Sequence, residues 1–170
     1  MTKSFSNLSD AGRALADLVR IELDRDPEAF ADPLVLAAMP NGVPVAIPVA
    51  AALGVEAKAL PISRTEGGPV IGQLPEVAGR IVVVIDDGVE TGTVARAAAL
   101  ALREARPLRL VLAVPVCSRE AMAHLAHVYD QIIAVDQPLG RRALAWHYAD
   151  FDTIDSAAAE RLLAQQRPGS

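Results

Sequence analysis

The stretch RIVVVIDDGVETGTVARAAALALR, residues 80–103, decides the fold. Its first half is dense in β-branched residues and reads as the strongest strand of the chain. Its second half, from Thr93, is nearly all good helix formers and reads as the strongest helix. Between them two acids, Asp86 and Asp87, are followed by a Gly/Thr turn. The first backbone N–H groups of a helix beginning near Thr93 have no partner within it, and the helix dipole adds partial positive charge there. A phosphate fits such a place. Gly92 removes the Cβ that would keep an anion off the backbone, and Thr91 and Thr93 offer hydroxyl donors. The two aspartates would repel the same anion, so they face something else: hydroxyls, a metal ion or solvent.

Working outward, strands and helices alternate. Apolar residues at Ala11, Leu15, Leu18 and Val19 predict a first helix over about 9–25, capped by Ser9 or Asp10. PLVLAAMP reads as a strand buried on both faces, NGVP as a turn, and VPVAIPVAAALG as a helix closed by Gly54. VEAKALPIS is expected to be a strand, and the Gly/Pro-rich RTEGGPVIGQLPEVAG a mobile loop. LRLVLAVPV and QIIAVD read as further strands, SREAMAHLAHVYD as a helix, and TIDSAAAERLLAQQ as a closing helix within about 153–166. This order predicts one α/β domain over 1–170, its core over about 34–151, with a mostly parallel central sheet flanked by helices. Ligands in such sheets bind at the carboxyl ends of the strands. Asp86 and Asp87 lie at such an end.

Composition bounds the rest. Among 170 residues, 52% are hydrophobic and 22% charged, as in a packed globular protein. Sixteen Lys+Arg against 21 Asp+Glu give a net charge of -5, which argues against nucleic acid partners. The single cysteine, Cys117, excludes an internal disulfide. MTKSFSNLSD has no apolar core of a signal peptide, so the expected location is cytoplasmic. The uncharged stretch from Pro33 to Val55 is broken by Pro40, Asn41, Gly42, Pro44 and Pro48, so no membrane span is expected. Neither G-x-G-x-x-G nor G-x-x-x-x-G-K-[ST] occurs. A receiver-type domain also ends a strand in acids, but its partner lysine is not evident.

A phosphate at one end and vicinal hydroxyls nearby would satisfy both halves of the loop, as in ribose 5-phosphate. IVVVIDDGVETGT closely resembles the ribose-phosphate motif of type I phosphoribosyltransferases. LAAMPNGVPVA looks like that family's first turn, and WHYADF looks like the end of a bacterial subgroup of unassigned substrate. The similarity runs from about Leu34 to the C-terminal helix. It implies that Asp86 and Asp87 are catalytic, hold the ribose 2- and 3-hydroxyls and lie next to Mg²⁺, and that Thr91, Gly92, Thr93 and Val94 bind the 5-phosphate. It implies further that Asn41 and Gly42 help hold pyrophosphate. Arg64 and Lys58 are the cations nearest by position for the departing diphosphate. The implied activity is transfer of phosphoribosyl from phosphoribosyl pyrophosphate to an unidentified nitrogenous base, by a protein that is commonly a homodimer in this family.

The chain also departs from the family pattern. Val94 stands where a Thr or Ser is frequent, and Pro40 or Asn41 where the similar subgroup carries a basic residue. Glu90 has two readings, a general acid/base at the acceptor or a carboxylate that merely weakens the phosphate loop. The alternative to a transferase is a non-catalytic or regulatory domain that keeps the ribose 5-phosphate pocket. Outside the motif, His124 and His127 read as a solvated helix face before a metal pair, and Cys117 as a core residue before a reactive thiolate. Trp146 and Tyr148 can either stack on a base or pack the last strand. Arg141 and Arg142 read as a charged turn or as a clamp on an anion.

Overall fold

β5 (Ile81–Ile85), the strand of the quoted stretch, is buried along its whole length and lies third in a parallel sheet of order β2-β1-β5-β6-β7. Its neighbours are β1 (Leu34–Ala38), which pairs in turn with β2 (Ala57–Leu60), and β6 (Arg109–Val116), which pairs with β7 (Gln131–Asp136). The computed structural model describes residues 3–140 and 142–166. From β1 the chain moves outward to β2 and then returns to the other side of β1 as β5. The order therefore reverses between β1 and β5, where the carboxyl ends of two adjacent strands diverge into separate loops and leave a crevice.

Alternation along each strand divides the core in two. Val35, Ala37, Val83, Ile85, Val111 and Ala113 face one side, covered by α1 (Leu8–Arg25), α2 (Gly42–Leu53) and α5 (Ser156–Ala164). Leu34, Leu36, Val82, Val84, Leu110 and Leu112 face the other, covered by α3 (Thr93–Glu104) and α4 (Arg119–Leu125). Each fully buried Val or Leu stabilises the sheet by roughly 1.5–3 kcal/mol. Gly12 lets α1 and α2 approach closely, since a Cβ there would lie 2.7 Å from the Val45 carbonyl oxygen. No helix among the described residues is long and apolar enough to cross a membrane.

Four local expectations need correction. The stretch expected as a strand over 55–63 breaks at Pro61, and the segment expected as a loop contributes a hairpin. β3 (Ile62–Thr65) pairs antiparallel with β4 (Gly68–Ile71) around a two-residue turn, closed by Thr65 Oγ1 donating to Gly68 O at 2.7 Å. Glu66 and Gly67 make the turn, Gly68 opens β4 at φ 111°, and Pro69 is tolerated because a two-stranded ribbon has outer edges that need no donor. The first helix is capped by Asn7, whose Oδ1 accepts from Asp10 N at 2.8 Å, while Asp10 Oδ2 accepts from Ser6 N at 3.1 Å. This reciprocal arrangement fixes the start one turn earlier than Asp10. Lastly, α4 covers only Arg119–Leu125 of the helix expected over 118–130, because Asp130 turns back to accept from Leu110 N.

At the β2 edge, Gln166 Oε1 accepts from Ala57 N at 2.7 Å and its Nε2 donates to Ala57 O at 2.8 Å.

Candidate functional site

β5 delivers Asp86 and Asp87 to the crevice, and the backbone folds the pair onto itself. Asp87 N donates to Asp86 Oδ1 at 2.8 Å. Burial, and then the charge of Asp87, pushes the Asp86 carboxyl well above the usual carboxylate range. Burial raises Asp87 as well, outweighing the hydrogen bonds that oppose it. The cation felt by both is Arg64, on β3 of the hairpin. Two neighbouring carboxyls, one half-buried and one buried, with one exposed guanidinium to compensate, form a place short of positive charge.

The loop after the acids is held from below. Val89 N donates to Val116 O at 2.7 Å, which ties its middle to the carboxyl end of β6. Gly92 follows at φ 87°, a left-handed conformation in which an L side chain is strained, and α3 starts at once. No side chain caps this helix. Thr93 N reaches only Thr91 Oγ1, at 3.4 Å, and the Thr91 and Thr93 hydroxyls lie 3.1 Å apart. The first turn is steadied from behind by Tyr129, whose hydroxyl donates to Ala95 O at 2.7 Å. Unpaired N–H groups and two hydroxyls thus line a cavity of about 170 Å³ that also contains Asp86, Asp87 and Glu90.

A second cavity, of about 260 Å³, opens on the β1 side and shares Arg64, Asp86, Asp87 and Val94 with the first. The two therefore form one cleft with the acid pair at its waist. Asn41 lines this second part, its Oδ1 accepting from Ile154 N at 2.9 Å. That bond fixes the orientation of the carboxamide and leaves its NH₂ group for another acceptor. α2, which starts here, has no side-chain cap either.

The structure gathers most residues singled out from the sequence. Asp86, Asp87, Glu90, Thr91, Gly92, Thr93 and Val94 line the first cavity, and Arg64 and Asn41 the second. Gly42 lines neither. It sits behind the site, where a Cβ would meet the Ile85 carbonyl oxygen at 2.7 Å, so glycine is what lets α2 begin against the end of β5. Lys58 belongs elsewhere, in a separate cavity with Gly54, Glu56 and Arg80. It is removed from the candidate diphosphate ligands. Tyr148 is buried between the rings of Phe5 and Phe151, 5.5 and 5.1 Å away, and so packs rather than stacks on a base. Lys3 Nζ and Arg142 Cζ lie 4.8 and 4.5 Å from the Trp146 ring centre. Arg141 lies outside the described residues. Cys117 is buried, its thiol pushed up to about 11 by burial, which leaves it protonated at neutral pH. His124 and His127 are exposed, and the described residues contain no group of three or more His, Cys, Asp or Glu placed to hold a metal.

Leu144 lines the first cavity and is not among the residues singled out from the sequence. It is brought there from a distant 3-10 turn, where a Cβ on Gly88 would lie 2.6 Å from its Cδ2. No local sequence signal marks it.

Comparison with known proteins bears on the family and the fold. Residues 4–138 match the family model described as the phosphoribosyl transferase domain. Proteins from two Mycobacterium tuberculosis strains, provisionally named phosphoribosyl transferases, are 33% identical over 75 residues, which is 44% of this chain. The match spans only 17% of their length. Among solved structures, TT1426 from Thermus thermophilus superposes with a TM-score of 0.78 at 25% identity, covering 94% of this chain and 97% of that one. The purine phosphoribosyltransferase of Pyrococcus horikoshii gives 0.57 at 18% identity over 79% and 91% of the two chains. The hypoxanthine phosphoribosyltransferase of Trypanosoma cruzi, solved with its product IMP, gives 0.57 at 16% over 78% and 76%. The last two likenesses are of fold.

Proposed function

The chain belongs to the phosphoribosyl transferase domain family, and from that premise we propose that it transfers phosphoribosyl from phosphoribosyl pyrophosphate to a nitrogenous acceptor. The observation that carries this reading is the pairing, across one cleft, of an acid pair, Asp86 half-buried and Asp87 buried, with the uncapped start of α3. Donors at one end suit a 5-phosphate, and carboxylates a few residues earlier suit the sugar hydroxyls.

In the reaction the bond from C1 to the diphosphate oxygen breaks, its electron pair leaves with pyrophosphate, and the acceptor nitrogen supplies the new pair to C1. Asp86 and Asp87 hold the ribose and face the positive charge that builds on its ring. Thr91, Gly92, Thr93 and Val94 hold the 5-phosphate through N–H and O–H donors. Arg64 and the Asn41 carboxamide NH₂ serve the departing diphosphate. Glu90, exposed and lining the first cavity, takes the proton from the acceptor in this reading.

The donor set fits Mg²⁺: hard carboxylate oxygens whose proton affinity is raised by burial and mutual repulsion gain most from a small divalent cation. Bound there, with Asp86 and Asp87 holding it, Mg²⁺ would neutralise charge on the diphosphate. The net charge of -5 is consistent with a small anionic substrate handled locally and with no nucleic acid partner. We place the protein in the cytoplasm as a homodimer; sedimentation analysis tests the latter.

The test is pyrophosphate release from phosphoribosyl pyrophosphate and Mg²⁺ across a panel of purine, pyrimidine and other nitrogenous acceptors. Release with at least one acceptor is expected. Tight binding of a nucleoside monophosphate, with no release and no Mg²⁺-dependent gain for the pyrophosphate compound, would overturn transfer in favour of a binding domain.

A further inference from the structure

One segment, residues 147–154, touches both loops of the cleft. Tyr148 Oη donates to Asp87 O at 2.7 Å, and Ile154 N donates to Asn41 Oδ1 at 2.9 Å. The segment is itself fixed by the start of the chain. Phe5 N donates to His147 O at 3.1 Å, Ala149 N to Phe5 O and Asp150 N to Ser6 O at 2.8 Å, and Leu8 N to Asp152 Oδ1 at 2.9 Å. Tyr148 is 2% exposed, so its hydroxyl has nowhere to turn but to Asp87.

The consequence lies in the peptide that follows. The Asp87–Gly88 bond is trans, and a planar trans peptide points its C=O and N–H in opposite directions. With the carbonyl drawn inward to Tyr148, the Gly88 N–H is turned to the other side. The N–H groups before and after it are satisfied, by Asp86 Oδ1 and by Val116 O. That of Gly88 donates to no acceptor among the described residues. Gly88 and Asp87 both line the first cavity, and the orientation needs φ 149°, which glycine alone adopts easily.

We infer that Tyr148 is a positioning residue that sets this peptide so that Asp87 and Gly88 together recognise a sugar hydroxyl. The carboxylate accepts the hydroxyl hydrogen while the Gly88 N–H donates to its oxygen. A hydroxyl is both donor and acceptor and satisfies the two at once, whereas a deoxy position leaves both unpaired. This rests on the transferase reading for its ligand, a ribose phosphate, but not for its geometry.

Tyr148→Phe removes the hydroxyl and keeps the ring between Phe5 and Phe151. Titration of this variant with ribose 5-phosphate should show affinity lowered about tenfold, the effect of one lost hydrogen bond in a closed site. Inorganic phosphate, which tests the α3 loop alone, should bind unchanged. The Gly88 amide resonance should move in the variant even without ligand. Phe5→Leu is the packing control: it should lower Tm yet leave the ratio of the two affinities unaltered. Equal loss for both ligands in Tyr148→Phe, or an unmoved Gly88 resonance, would overturn the inference. Wild-type protein that binds neither ligand would count against the transferase reading, and the resonance would still decide the role of Tyr148.

Discussion

Two groups of helices begin differently in this molecule. α1, α4 and α5 each start on a side chain that accepts a backbone N–H: Asn7 from Asp10, Ser118 from Ala121 and Asp155 from Ala158. α2 and α3 start at Asn41 and Gly92 with no such bond. A cap contributes typically about 1 kcal/mol, so the second group gives up stability at two ends. Both of those ends follow the strands that flank the reversal of sheet order, β1 and β5. Asn41 is of a type that caps helices well, yet its oxygen is engaged by Ile154. The capped starts serve the fold, and the open start of α3 leaves donors for an anion, whereas at α2 Val43 N donates to Pro40 O and Pro44 has no N–H, so only the Asn41 carboxamide remains to serve a ligand there.

The sharpest way to break this contrast is at the acids between the open ends. Asp86→Asn with Asp87→Asn should abolish ribose 5-phosphate binding in calorimetry while circular dichroism stays native, because both side chains sit at a strand end. The same variant carries a pH signature. Both carboxyls have raised folded values, so they contribute stability in full below the ordinary aspartate range, near ~4, and lose it as pH rises through the folded values. Urea melts of the ligand-free wild type should show that decline, and those of the double variant should not. A wild type equally stable across the range would contradict the buried-pair description.

A smaller effect is expected at the open start of α3. In Gly92→Ala the new Cβ has room, 3.6 Å from Leu125, but φ 87° strains it by about 1–2 kcal/mol. Both the denaturation midpoint and phosphate affinity should fall; an unchanged midpoint would show that the turn relaxes freely. The smallest effect belongs to the capped group. Ser118→Ala or Asp155→Ala should cost about 1 kcal/mol, lowering Tm by roughly 2–4 °C, with phosphate affinity untouched. Loss of affinity there would erase the distinction between the two kinds of helix start.

How legible each part was follows from how its residues are spaced along the chain. β5, the acids, Gly92 and α3 are consecutive, so composition, turn chemistry and helix propensity all bear on one short window, and Thr93 begins the helix as its residue types imply. Tyr148 lies 61 residues from the Asp87 carbonyl it holds, and nothing local distinguishes it from any packed aromatic. Lys58 looked close to the site because sequence distance hides which end of a strand a side chain serves. The hairpin was obscured because Gly68 and Pro69, ordinarily loop residues, are allowed where a ribbon has free edges. Strand order was not readable either, and by itself it is shared with other doubly wound domains. The family match over residues 4–138 removes that ambiguity.

The contact between Gln166 and Ala57 has a consequence for how the molecule meets its own kind. A primary carboxamide carries the same donor and acceptor as a peptide, and here it answers the backbone N–H and C=O of one edge residue. A foreign strand approaching that border finds its docking rung already filled. The glutamine thereby stands in for a neighbouring strand at one rung of that border.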